Sequence, residues 1–179
     1  DILDEAAYGL EVWLKSMTPD GGVSGYVETY GHPTMELDID YAFSRRTRWD
    51  SLLFAAAAAQ LAQHLKPFSP EESARWQALA LKAYGYGNDR SHSLGKIEIP
   101  ARKNRGQGDP YTIPWEEKEA YVAPFLLHAR VRLHHLTGDE SYLEGVAAAM
   151  HDTPAPYKWP YTMMDYSPWL YFSMVYGSQ

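Results

Sequence analysis

Apolar residues recur along much of this chain at intervals of three and four, the spacing of one helix face. The longest such stretch is residues 49–65, WDSLLFAAAAAQLAQHL, where apolar positions cover nearly every face. Alanine dominates it. Alanine is the best helix former, and its small side chain lets a neighbouring helix approach closely. A helix apolar on most faces is normally buried on most sides. This segment is therefore predicted to stand inside an array of helices.

The flanking pattern supplies its neighbours. Residues 1–16 predict a helix that turns Ile2, Leu3, Ala6, Leu10, Trp13 and Leu14 inward. Asp1, Asp4 and Glu5 suit the positive end of its dipole. The run Thr18-Pro19-Asp20-Gly21-Gly22 stops it. Residues 22–30 alternate loosely and fit a short strand or an extended loop. An acidic stretch at 36–40 and a basic one at 44–49 lie close enough to pair, a contact worth about 0–1 kcal/mol at a surface. After a Pro67-Phe68-Ser69-Pro70 break, residues 70–86 predict a second helix with Ala74, Trp76, Leu79, Ala80 and Ala83 inward. Ser69 and Glu72 have capping-box spacing, Pro70 fits the first helical position, and Gly85 and Gly87 are expected to close the helix.

Residues 88–112 read as a long loop. A helix is predicted over 115–137, with Glu116, Glu117 and Glu119 as a solvated start and Gly138 as its C-cap. Pro124 should kink it or mark the true start of its longer part. A further helix is predicted over 142–150 and a last one over 169–176. Between them, prolines at 154, 156, 160 and 168 alternate with Tyr157, Trp159, Tyr161 and Tyr166, an aromatic loop. The fold class this implies is all-α, with about six helices in antiparallel pairs.

Composition narrows the chemistry. The 179 residues suffice for one domain with a sizeable core. Aromatics reach 14%, which fits either a ligand groove, sugars being the commonest case, or simply a bulky core. A net charge of −7 argues against a nucleic-acid partner, since phosphate binding wants a basic face. No run of 18 apolar residues exists to form a membrane-spanning helix. Without cysteine there is no thiol chemistry and no disulfide. No spacing of His and carboxylates calls for a metal, and no phosphate-binding loop, HExxH or GxSxG occurs, so no cofactor is expected. Asp1 already lies inside a predicted helix, and the chain is expected to be a piece of a longer or processed protein.

Three stretches carry a family resemblance. They are DILDEAAYGLEVWLK followed by DGGV at 20–23, the alanine-rich helix followed by FSPEESARWQALALKAYGYG, and LTGDESYLEGV at 136–146 followed by YKWPYTMMDY. In this order they resemble the middle of the catalytic domain of glycoside hydrolase family 9. That family holds cellulases, other β-glucan hydrolases and some exo-acting glucosaminidases. The resemblance implies part of an (α/α)6 barrel, with residues 1–179 as one incomplete segment of it. It also implies an inverting hydrolase, in which one carboxylate activates water and a distant carboxylic acid protonates the leaving oxygen.

By the same resemblance both catalytic carboxylates lie outside this chain, before its first helix and after its last. The isolated chain is thus expected to be inactive and to contribute only cleft to an oligosaccharide or polysaccharide substrate, alongside the remainder of its parent chain. The resemblance places His32 at a cleft histidine and Trp159 at a tryptophan that stacks a sugar ring. Asp165 and Tyr166 follow as candidate hydroxyl ligands, and Trp115 as a possible wall of the same cleft. Each has a bland account as well: an exposed loop histidine, or rings packed between prolines. Asp38 and Asp40, near Arg45, Arg46 and Arg48, read as ion-pair partners, and His134 and His135 as dipole-favoured residues at a helix end. Two departures point to a divergent member. Pro124-Phe125 stands where the family carries an acidic pair, and the tryptophan usual beside the cleft histidine is missing at His32. The alternative is a non-catalytic (α/α) domain that binds carbohydrate or protein, since fold does not fix function.

Overall fold

The computed structural model describes residues 2–25, 27–29, 41–92, 97–99, 111–113 and 119–146. Four α-helices form its body: α1 (Ile2–Leu14), α2 (Arg48–Leu65), α3 (Pro70–Asn88) and α4 (Glu119–Thr137). Six short strands precede α2 and α4: β1 (Val23–Ser24), β2 (Val27–Thr29), β3 (Tyr41–Phe43), β4 (Arg46–Thr47), β5 (Ile97–Ile99) and β6 (Tyr111–Ile113). Single turns of 3-10 helix lie at Arg90–His92 and Glu140–Leu143.

The alanine-rich helix is the centre, as its pattern predicts. Ten of its 18 residues are buried, on several faces, and it packs against α1, α3 and α4. Its pairing with α3 is antiparallel. Ser73, near the start of α3, donates its hydroxyl to the Ala62 carbonyl near the end of α2 at 2.8 Å. At the other end, Gly87 of α3 lies against Leu52 and the Arg48 backbone. The buried residues of α3 are Ser73, Trp76, Ala80, Ala83, Tyr86 and Gly87, a narrow seam of mainly small side chains with Trp76 as its bulky anchor. Trp76 meets Phe54 of α2 with ring centroids 6.5 Å apart.

Several local expectations are corrected. Gly87 does not end α3; it lies inside the helix, where a Cβ would stand 2.4 Å from Leu52 Cγ. Its role is close helix approach. Gly85 is also internal and meets nothing. Ser69 is the N-cap of α3 but its side chain makes no capping bond, so the expected capping box does not form. Glu72 pairs instead with Arg75 at 3.2 Å, and Arg75 also reaches Glu11 of α1 at 2.5 Å. Ala74 is exposed. On α1, Leu3, Leu10, Trp13 and Leu14 do pack on the core, whereas Ile2 (84% exposed), Ala6 and Tyr8 (72% exposed) face outward.

The expected loop over 88–112 contains structure, because Ile97↔Ile113, Glu98↔Thr112 and Ile99↔Tyr111 pair as an antiparallel ribbon. Helix α4 runs through Pro124, which sits in its second turn and removes one backbone bond there. Gly138 caps α4 as predicted, at φ +73, with its N–H on the His134 carbonyl at 2.7 Å. The next segment is a 3-10 turn over Glu140–Leu143, opened by Asp139, whose carboxylate accepts from the Ser141 N–H. Gly145 at φ +74 then bends the chain, so no continuous helix starts at Tyr142. The predicted helix over 169–176 lies outside the described residues. None of the helices described is long and apolar enough to cross a membrane.

Two outcomes are expected from this packing. Gly87→Ala should lower stability by about 1–3 kcal/mol through overpacking against Leu52. Gly85→Ala, exposed on the same helix, should raise it by roughly 0.5–1 kcal/mol. Urea midpoints of the two variants check the opposite signs. The second outcome concerns His128 on α4, which accepts from Arg132 Nε at 3.4 Å. Burial, helped by the Arg132 charge, lowers its pKa to about 4. The unfolded chain therefore binds this proton first as pH falls. The neutral imidazole's contribution is present above the unfolded value near 6.5 and fades toward the folded value near 4. Between about pH 6.5 and about pH 4.5 the loss should be roughly 2 kcal/mol. Denaturant unfolding of His128→Gln across that window should show a correspondingly shallower decline.

Candidate functional site

The site is built where helices begin. Residues 23–29 and 41–47 pair in one register, Val23↔Thr47 and Ser24↔Arg46 at the base, then Val27↔Phe43 to Thr29↔Tyr41. They form two antiparallel strand pairs that share one register and together make the first ribbon. Its base is bolted to α2. The Val23 N–H donates to Ser51 Oγ at 2.9 Å, Ser51 Oγ donates to the Thr47 carbonyl at 2.7 Å, and the Ser24 N–H donates to Ser16 Oγ at 3.0 Å. The β5–β6 ribbon likewise precedes α4 by five residues.

Thr47 is the N-cap of α2. Its Oγ1 accepts from the Asp50 N–H at 2.9 Å and donates to Asp50 Oδ2 at 2.5 Å. Trp49 Nε1 donates to the same carboxylate oxygen at 3.1 Å. The Gly25 backbone presses on this carboxylate so closely that a Cβ there would lie 2.4 Å from it. Burial pushes the Asp50 carboxyl above its usual range, while the Thr47 and Trp49 hydrogen bonds pull it back. The helix N-terminus favours the anion as well.

Arg48, one residue into α2, is 2% exposed. Its Nε donates to the Gly87 carbonyl of α3 at 2.9 Å, and a terminal nitrogen donates to Glu119 Oε1 of α4 at 2.5 Å. Arg90 Nε stands 3.6 Å from the same Glu119 oxygen. This corrects one expectation. Glu119 is half-exposed yet is an ion-pair partner, not a solvated first turn. Arg46 of the basic stretch donates to the Ser16 carbonyl at 3.2 Å and Arg48 reaches α4, while the acidic stretch expected to pair with it lies outside the described residues. The contact places the N-termini of α2 and α4, and the C-terminus of α3, at one end of the array. Both ribbons therefore spring from that end.

His32 falls between β2 and β3, and Trp115 between β6 and α4; both lie outside the described residues, as do Trp159, Asp165 and Tyr166. Asp38, Asp40, Glu116 and Glu117 lie outside them too. His134 and His135 sit edge to face, with ring centroids 5.9 Å apart, at the opposite end of α4. Among the described residues no three His or carboxylate groups gather as a metal site would require. Asp50 and Glu119 are each engaged in holding helix ends. The sequence signal for Asp50 was present in Thr47-x-x-Asp50, a capping-box spacing. That for Arg48 was a cation at the mouth of a helix otherwise predicted to be buried.

No family model and no curated protein matches the chain. Solved structures do. A metagenome-derived glycoside hydrolase family 9 endoglucanase superposes with a TM-score of 0.70 at 27% identity, over 98% of this chain and 31% of that one. A single-mutant thermostable endoglucanase from Alicyclobacillus acidocaldarius gives 0.66 at 24% identity, over 93% and 30%. A family 9 protein of Bacteroides ovatus gives 0.67 at 21% identity, over 100% and 33%. The chain thus spans about a third of the length of each. Its helices fit a partial (α/α)6 array. By fold and by the order of its sequence motifs, the chain resembles one part of a glycoside hydrolase family 9 domain.

Proposed function

We propose that residues 1–179 are one segment of a larger (α/α)6 catalytic domain, that of an inverting hydrolase of β-linked glucan or amino-sugar oligosaccharides. The segment supplies substrate cleft and not the catalytic carboxylates. The observation that carries this reading is the match, along nearly all of this chain, to a family 9 endoglucanase at 27% identity. The order of elements supports it, because the strands that flank His32 and precede Trp115 in sequence, β2, β3 and β6, come before helices α2 and α4, whose N-termini lie at one end of the array. His32, Trp115, Trp159, Asp165 and Tyr166 are the proposed substrate contacts. The rings would stack on the CH-rich faces of pyranoses, and Asp165 and Tyr166 would accept or donate to hydroxyls.

A second reading is a non-catalytic (α/α) domain that binds carbohydrate or protein. It is favoured by one feature: Asp50 and Glu119, two of the described carboxylates at this end of the array, are both committed to structural bonds.

Titrating the protein with cellohexaose and with chitohexaose, followed by tryptophan fluorescence, should show saturable binding of at least one. Trp159→Ala should weaken that binding by roughly tenfold, the loss of one good stacking contact. Hydrolysis products followed by proton NMR should first appear as the α-anomer in the protein that carries the carboxylates. Binding without turnover, even in that protein, selects the non-catalytic reading. Absence of binding to both sugars removes the carbohydrate reading altogether.

A further inference from the structure

The Asp50 carboxylate sits in the seam between the foot of the first ribbon and α2. Thr47, the last residue of β4, donates its hydroxyl to Oδ2 at 2.5 Å, and Trp49 Nε1 reaches the same oxygen at 3.1 Å. Gly25, directly after β1, lies so close that a Cβ on it would meet all three carboxyl atoms. Among the described residues it gives the carboxylate no hydrogen bond; the side-chain donors are Thr47 and Trp49. The strand that closes over this group therefore excludes water from it and supplies no donor in exchange. Charged neighbours do not compensate. Arg46 donates to the Ser16 carbonyl, and Arg48 turns to the Gly87 carbonyl and Glu119. No charged side chain among the described residues, on the ribbon, on α1 or on α2, acts on the carboxyl. Desolvation disfavours the ionised form, and a protonated carboxyl still keeps acceptor capacity for Thr47 and Trp49.

We propose that Asp50 is a proton-operated latch. Uptake of one proton tightens the joint between Gly25, at the end of β1, and the first turn of α2, and loss of that proton loosens it. The sign follows from burial, which outweighs both hydrogen bonds and raises the carboxyl above its ordinary range. Opening the joint rehydrates the carboxylate and returns it to that range, so the linkage that governs unfolding governs local opening as well. The stabilising contribution is present in full below the ordinary carboxylate value and is lost as pH rises through the folded value. His128 on α4 works with the opposite sign, since its contribution fades as pH falls. The latch does not depend on the protein binding a sugar.

The test is amide hydrogen exchange by NMR at about pH 4.5 and about pH 7, corrected for the intrinsic pH dependence of exchange, beside a carbon NMR titration of the Asp50 carboxyl. Protection at Val23, Ser24 and Thr47 should be severalfold higher at the lower pH, while Ala80 and Ala83 of α3 gain none. Asp50→Asn has nearly the same size and is neutral at both pH values, so it should remove the difference. The carboxyl itself should titrate above the ordinary carboxylate range. A midpoint within or below that range overturns the proposal, even if the Asn variant fails to fold. So does ribbon protection that ignores pH, a difference that survives Asp50→Asn, or one that appears equally in α3.

Discussion

Everything in this structure depends on how closely α2 and α3 approach. Small residues line both sides of their seam: Ala55, Ala59 and Ala62 on one helix, Ser73, Ala80, Ala83 and Gly87 on the other. Small side chains bury little apolar area each. They bring two backbones near enough for Ser73 to bond a carbonyl of the facing helix and for Gly87 to touch Leu52. Bulk is supplied at few points, by Trp76 and Phe54. Helices α1 and α4 then lean on the same centre, α1 through Leu3, Leu10, Trp13 and Leu14, α4 through Val122, Ala129, Leu133 and Leu136.

That close approach also fixes where the polar ties can form. Because the Gly87 end of α3 lies beside the start of α2, the Gly87 carbonyl is within reach of Arg48. Because α4 starts at the same end, Glu119 completes the contact. The capping bonds of Thr47 and Asp50 sit one turn away, with Gly25 of the ribbon pressed on the carboxylate. Apolar contact sets the spacing of the helices, and a handful of directed bonds sets the attitude of what grows from their ends.

The helix array was legible in the sequence. Residues 49–65 announced a buried helix by composition alone, and Gly138 announced the end of α4. What could not be read was partnership at a distance. Nothing in the sequence near Glu119 says that a buried arginine 71 residues earlier will claim it. Nothing near Gly87 says that Leu52 will lie against it, so a glycine two residues from another reads as a helix end. The ribbon of β5 and β6 escaped because its pairing residues, Ile97 to Ile99 and Tyr111 to Ile113, are too few to show a period against the charged and glycine-rich residues between them. Ile2 and Ala6 escaped for a different reason: periodicity marks an apolar face without saying that anything covers it. The candidate sugar contacts came from resemblance, and they lie outside the described residues.

The shared register of the first ribbon has a consequence for how such a protein can change. An insertion within the paired strands would shift every later residue to the opposite face and pull Thr47 off its cap. An insertion beyond Thr29 and before Tyr41 keeps that register, and lengthening a flexible connection costs little, about 0.6 kcal/mol for each doubling. The ribbon therefore separates two kinds of evolutionary freedom. The part at its foot is locked to the helix array, while residues added beyond its last pair leave every register below them unchanged.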